Sequence, residues 1–107
     1  MSEVVGTISA LSRFPVKSMQ GEALDVAHVT ECGVLGDRAF ALVEVATGKV
    51  LSGKTPRLGT RIMGCRAAFI ASPTLGDELP PVRIALSDGT TVTSDSADVD
   101  TTMSRFL

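Results

Sequence analysis

Residues 38–51 read Arg38-Ala39-Phe40-Ala41-Leu42-Val43-Glu44-Val45-Ala46-Thr47-Gly48-Lys49-Val50-Leu51. The run from Arg38 to Val45 is almost continuously apolar, which predicts a strand covered on both faces. The chain then turns through Val45-Ala46-Thr47-Gly48-Lys49. A three-residue loop there puts Gly48 third, where the backbone must be left-handed and glycine adopts that conformation without steric cost. This register sets Val43 opposite Leu51. The segment Leu86-Ser87-Asp88-Gly89-Thr90 repeats the arrangement with Gly89 third. It faces Ile84 with Val92, while Val82, Ile84 and Leu86 alternate with polar or small residues. A two-residue turn at Asp88-Gly89 would pair Ile84 with Thr93, a poorer match for a single buried face.

Outward from these hairpins, Val4 to Leu11 is rich in β-branched residues and stops at Phe14-Pro15, where proline removes a ladder donor. Ala23 to Thr30 and Ile62 to Ser72 are further strand candidates, and Pro73 to Pro81 is a loop. Thr55-Pro56-Arg57-Leu58-Gly59 predicts a short helical turn near 56–59, with Thr55 as N-cap and Pro56 at the first position. A helix start is expected near 98–107, capped by Ser96 or Asp98, opening at Asp100 and running into Met103 and Phe106. At about two turns it is too short to stand alone. Six or so short strands with glycine-marked turns predict a mainly β fold, a small antiparallel barrel or sandwich.

The chain has 107 residues, enough for one domain and one core. Apolar residues make up 44%, but aromatics only 4%, with neither Trp nor Tyr, so Val, Leu, Ile and Ala must fill that core. The net charge of −2, from ten basic and twelve acidic residues, argues against a broad nucleic-acid-binding face. Any anion site has to be local. Two cysteines, Cys32 and Cys65, sit in no paired motif, and one histidine, His28, accompanies them, so neither a disulfide framework nor a zinc site is expected. Cys32 is expected in a turn beside Gly33, and Cys65 and His28 in strands. No run approaches a membrane span and no signal-peptide pattern opens the chain, so a cytoplasmic protein with no membrane partner is expected.

Two stretches carry chemistry. In Phe14-Pro15-Val16-Lys17-Ser18, Pro15 fixes its own φ and biases Phe14 toward extended geometry. Lys17 then offers a point charge, Ser18 a hydroxyl, and both offer turn amides, a set that suits a phosphate or another oxyanion. The plain alternative is an exposed loop with a solvated lysine. In Gly33-Val34-Leu35-Gly36-Asp37-Arg38, Arg38 presents a planar, permanently charged fork, which Asp37 either orients or leaves in order to satisfy turn amides. The alternative there is a structural ion pair at a barrel end. Lys54, Arg57, Arg61 and Arg66 add positive charge and read as solvated surface.

Together the two stretches resemble the amino-terminal β-barrel domain of MOSC proteins, the family that includes amidoxime-reducing enzymes and related bacterial reductases. That domain carries Tyr-Pro-Val-Lys-Ser near its start. A strand later it has Gly and Asp-Arg, then an apolar run, a Gly-marked hairpin and a Pro-Arg/Lys-Leu segment. The matching residues are Phe14 to Ser18, Gly33, Asp37-Arg38, Ala39 to Val45, Gly48 and Pro56-Arg57-Leu58. The likeness extends over residues 4–107 and is clearest over 7–62; Phe14 keeps the ring of the usual Tyr but lacks its hydroxyl.

The resemblance implies a small antiparallel β-barrel domain spanning 1–107. It also implies that Lys17, Ser18 and Arg38 contact the terminal phosphate of the molybdenum cofactor, molybdopterin. The family's molybdenum-ligating cysteine belongs to the MOSC catalytic domain that follows, in cis or in trans, and Asp98 to Leu107 resembles the helix leading into it. No catalytic residue and no metal ligand is therefore expected in this chain. The expected function is cofactor docking in a molybdenum-cofactor-dependent oxidoreductase, with weak binding of the cofactor's phosphate by this chain alone, the whole cofactor held only together with the MOSC domain, and no catalysis by this domain alone. The alternative is a non-catalytic β-barrel interaction domain that packs on a partner domain without binding cofactor. An enzyme in its own right ranks last, since no nucleophile–base pair, carboxylate pair or metal-ligand spacing is present.

Overall fold

The computed structural model describes residues 6–107. Strand β1 (Leu11–Arg13) pairs antiparallel with β2 (Glu22–Leu24), setting Arg13 directly opposite Glu22. A two-residue ladder joins β3 (Val29–Thr30) to β4 (Gly33–Val34). Helix α1 (Gly59–Met63) leads into an antiparallel sheet of β5 (Arg66–Phe69), β6 (Val82–Ala85) and β7 (Thr91–Thr93), in that spatial order. Helix α2 (Val99–Phe106) closes the described chain.

The hairpin between β6 and β7 has the expected register. Ile84 faces Val92, Leu86 N–H donates to Thr90 O at 2.8 Å, and Gly89 takes φ +92° at the third loop position. Both facing residues are buried, as a one-sided sheet requires. Helix α2 also falls where expected, with Asp98 at the N-cap, although its carboxylate meets the Ser96 hydroxyl rather than a helix N–H. The loop over 73–81 contains no strand.

Several expectations are corrected. The 38–51 hairpin is displaced by one residue: Val43 pairs with Val50, not Leu51, and Glu44 N–H donates to Lys49 O at 2.9 Å. Gly48 does turn left-handed, at φ +71°, but it closes a four-residue loop. The slip puts Leu42 opposite Leu51, facing the core, and leaves Val43 and Val50 about half exposed. Residues 38–45 are consequently covered on one face only, and they join their neighbours by isolated bridges rather than a ladder.

The first strand begins at Leu11; Gly6 to Ala10 are exposed and form no strand, and Val4 and Val5 lie outside the described residues. The run Ala23–Thr30 is broken by a bend at Asp25-Val26, where Val26 is 83% exposed. Ile62 belongs to a helix, not a strand. Leu58, Ile62 and Cys65 recur at helical spacing and turn toward the core, and β5 starts only at Arg66. Cys65 therefore sits just before that strand, and His28 just before β3; Cys32 is in a turn. The turn near 56–59 is not yet helix, because Arg57 adopts φ +69°. Leu58 becomes the N-cap, and the Thr55 hydroxyl accepts from Ser52 N–H at 2.9 Å instead.

The fold is mainly β with few helices, but its strands form three small antiparallel sheets and no closed barrel among the described residues. The connections are single bridges: Val16 to Phe40 and Gln20 to Arg66, both parallel. Pro15 has no N–H to donate, and left-handed φ values at Ser18 and Arg38 interrupt the ladders on either side.

Val16, Met19, Leu51, Ile62, Ala67, Val82, Ile84, Leu86, Val92 and Met103 form one core, joined by Phe69 and Cys65. Under its edge Arg13 is buried against Glu22, with Nε 3.1 Å from Oε2. The same oxygen accepts from Phe69 N–H, and the guanidinium lies over the Phe69 ring. One carboxylate thus ties β1, β2 and β5 together, and the buried cation does not lack a partner.

Candidate functional site

The strap after β1 is pinned from both sides. Val16 and Met19 point into the core at 2% and 3% exposure, which leaves Lys17 exposed and Ser18 half-buried between them. On one side Arg38 N–H donates to Phe14 O, Phe40 N–H to Pro15 O at 2.9 Å, and Lys17 N–H to Phe40 O at 2.9 Å. On the other side Gln20 N–H donates to Cys65 O, and Gln20 O accepts from Ala67 N–H. Two motifs about twenty residues apart are thereby laid side by side.

Asp37 completes the join. Its Oδ1 accepts from Phe14 N–H at 2.8 Å, while Oδ2 pairs with the Arg38 guanidinium. That guanidinium also lies 5.3 Å from the centroid of the Phe14 ring, so its plane is held from two directions. Asp37 thus orients Arg38, while the amide that it satisfies belongs not to its own turn but to Phe14 on the strap.

Lys17, Ser18 and Arg38 all line one open depression of about 600 Å3. Phe14, Met19 and Met63 give it an apolar wall, and the Ser52-Gly53-Lys54 turn forms another. Lys54, expected on the solvated surface, stands at this site, whereas Arg57, Arg61 and Arg66 do not. Arg61 instead donates to the carbonyl oxygens of Phe106 and Leu107, and Arg66 to Gln20 Oε1 and Gly21 O.

What brings Lys54 in is close backbone contact. A Cβ on Gly59 would sit 2.1 Å from Gly53 O, so only glycine lets the start of α1 press against this turn. A pair of glycines six residues apart beside an apolar helix was the available signal.

Ser18 and Arg38 are two of the three non-glycine residues with positive φ among those described, at 69° and 49°. Such backbone costs on the order of 1 kcal/mol each, and it clusters at functional sites. No backbone acceptor among the described residues takes the Ser18 N–H, whereas the amides of Asp37 and Arg38 are already used within the fold. The residues lining the depression thus offer an ammonium, a guanidinium and a hydroxyl, with Lys54 beside them. These groups suit a tetrahedral oxyanion such as a phosphate monoester.

A second hollow, of about 350 Å3, lies between β7 and α2; Arg83 is its one cation, and the Asp98 carboxylate shares it. No group of three or more His, Cys, Asp or Glu side chains that could hold a metal occurs among the described residues, and no helix there is long and apolar enough to cross a membrane. Burial pushes the Cys65 thiol pKa up, and the nearby Asp88 carboxylate adds to the effect; the Ser87 N–H works against it. Such a thiol is a poor nucleophile.

A small β-rich domain with an oxyanion-suited depression beside its first strand is the class that fold and site define. Residues 5–69 match the family model described as the MOSC N-terminal beta barrel domain. The match covers more than half of the chain, and the chain belongs to that family. No curated protein and no solved structure matches it.

Proposed function

We propose that this domain docks the phosphate end of the molybdenum cofactor, molybdopterin, for a molybdenum-cofactor-dependent oxidoreductase. Lys17, Ser18 and Arg38 are the contacting residues in this reading, and a MOSC catalytic domain, in cis or in trans, is the partner. One observation carries it: three side chains that family resemblance assigns to a phosphate line the same depression. The donor set fits the group. When bound, the cofactor supplies the redox chemistry; this chain's own residues hold and orient its anionic end. Lys17 contributes charge, Arg38 a fork fixed by Asp37 and Phe14, and Ser18 a hydroxyl on a backbone already in place.

The test is cofactor retention by a two-domain chain in which a MOSC domain follows Leu107. Wild type is expected to copurify with molybdenum and pterin, and Lys17→Ala and Arg38→Ala each to lose most of the pterin at unchanged thermal stability. Full occupancy in both variants would refute the assignment.

The alternative, an interaction domain without cofactor, draws on a different observation. Val43, Val45 and Val50 are half to fully exposed on one hairpin, which suits a covering partner. It predicts a two-domain chain that folds fully yet carries no pterin.

A further inference from the structure

Charge balance within the depression assigns a role to a residue that no motif marks. Lys17 and Arg38 bring two positive charges, but Asp37 is paired to Arg38, so together these three groups carry a net charge of only +1. A phosphate monoester above its second pKa of about 6 carries roughly two negative charges. Lys54 lines the same depression from a separate turn, and neither it nor Lys17 is paired with a carboxylate among the described residues. Counting Lys54, the groups sum to +2 and match the dianion.

The turn that carries Lys54 is also built in place. Ser52 Oγ accepts from Lys54 N–H at 3.2 Å, Ser52 N–H donates to Thr55 Oγ1 at 2.9 Å, and Gly59 backs the turn at a distance no side chain would permit.

We propose that Lys54 is a third cationic contact for the bound phosphate, brought to the site by a turn separate from those that carry Lys17 and Arg38. This inference rests on the phosphate reading of Lys17, Ser18 and Arg38, and it adds to that reading a residue on a separate element. Lys54 binds as a point charge at the end of a flexible stem, so its contribution is electrostatic and tolerates replacement by arginine.

The experiment is calorimetric titration of the 107-residue chain with methyl phosphate at pH 7.5, comparing wild type, Lys54→Met, Lys54→Arg and Lys17→Ala. An ammonium a few ångströms from a phosphate dianion at a hydrated surface is attracted about twice as strongly as to a monoanion. Lys54→Met is therefore expected to weaken binding by about tenfold. Lys54→Arg should bind within about twofold of wild type, and raising the salt to 1 M should narrow the gap between wild type and Lys54→Met. A merely structural Lys54 would show no such salt dependence. If Lys17→Ala loses binding while Lys54→Met binds like wild type, the Lys54 contact is overturned and the phosphate reading stands. If wild type takes up no methyl phosphate, both fall together.

Discussion

Asp37 uses its two carboxylate oxygens on different parts of the chain, one on the Phe14 amide and one on the Arg38 guanidinium. Removing it should loosen the strap and the fork at once. Asp37→Ala is expected to lower stability by about 1 kcal/mol in urea unfolding, since a partly exposed hydrogen bond to a charged group is lost. Asp37→Asn, which keeps an acceptor for Phe14 N–H, should lose less than half as much. Equal losses in the two variants would mean that the backbone bond contributes nothing. At this scale the meeting of Lys17, Ser18 and Arg38 at one depression was legible. Lys17, Ser18 and Arg38 stand in motifs whose residue types already point to an oxyanion. The left-handed backbone at Ser18 and Arg38 was not legible, because neither residue is a glycine or asparagine that would announce it. The place of Lys54 beside the depression was not legible, because it depends on a contact between Gly53 and Gly59, and the spacing of two glycines does not say that they meet.

Helix α1 shows how an element can be misread when two periodicities overlap. Leu58, Ile62 and Cys65 follow helical spacing, yet Ile62 opens an apolar run that continues into β5, so the run looked like one strand. The 38–51 hairpin failed differently. Small and apolar residues occupy both odd and even positions from Ala39 to Val43, leaving alternation too weak to select between adjacent registers. In the 82–93 hairpin only one face is apolar, and its register was readable.

The close approach of α1 to the Lys54 turn makes a prediction at this scale. Gly59→Ala forces a Cβ against Gly53 O and should cost roughly 2 kcal/mol or more despite better helix propensity. Gly48→Ala, where φ is +71° but no atom lies within 4 Å, should cost only the backbone strain of about 1 kcal/mol. Chemical denaturation of the two variants checks the order; a milder Gly59→Ala would mean that the contact relaxes freely.

The 86–90 loop supplies a pH dependence. Thr90 N–H donates to Asp88 Oδ1 at 2.8 Å, and this bond holds the Asp88 carboxyl below its ordinary range. A lowered pKa in the folded state favours folding above the unfolded-state value, and that contribution disappears as pH falls through the folded-state value. Wild type should therefore lose thermal stability below about pH 4 more steeply than Asp88→Asn. Parallel curves would show that the bond is equally strong in both ionisation states.

As a whole, the molecule is longer than a sphere of its size would be. Its radius of gyration is 15.6 Å and its extents are 55 × 30 × 27 Å, against roughly 13 Å for a compact chain of this length. The class of fold was legible, since short glycine-punctuated strands can hardly build anything but small antiparallel sheets. Barrel closure was expected and is not found among the described residues, because the joining segments meet through single bridges. Those same segments, bent by Pro15, Ser18 and Arg38, are the ones that open the depression. Departure from regular pairing and formation of the site have one cause.

The central claim, that the strap after β1 and the Asp37-Arg38 turn form a single phosphate site, is tested most directly by amide chemical-shift mapping of the 107-residue chain. Under added inorganic phosphate, the amides of Lys17, Ser18 and Arg38 are expected to shift together along one saturable curve, with β7 and α2 unmoved. Shifts confined to one motif, or saturating separately in the two, would contradict it.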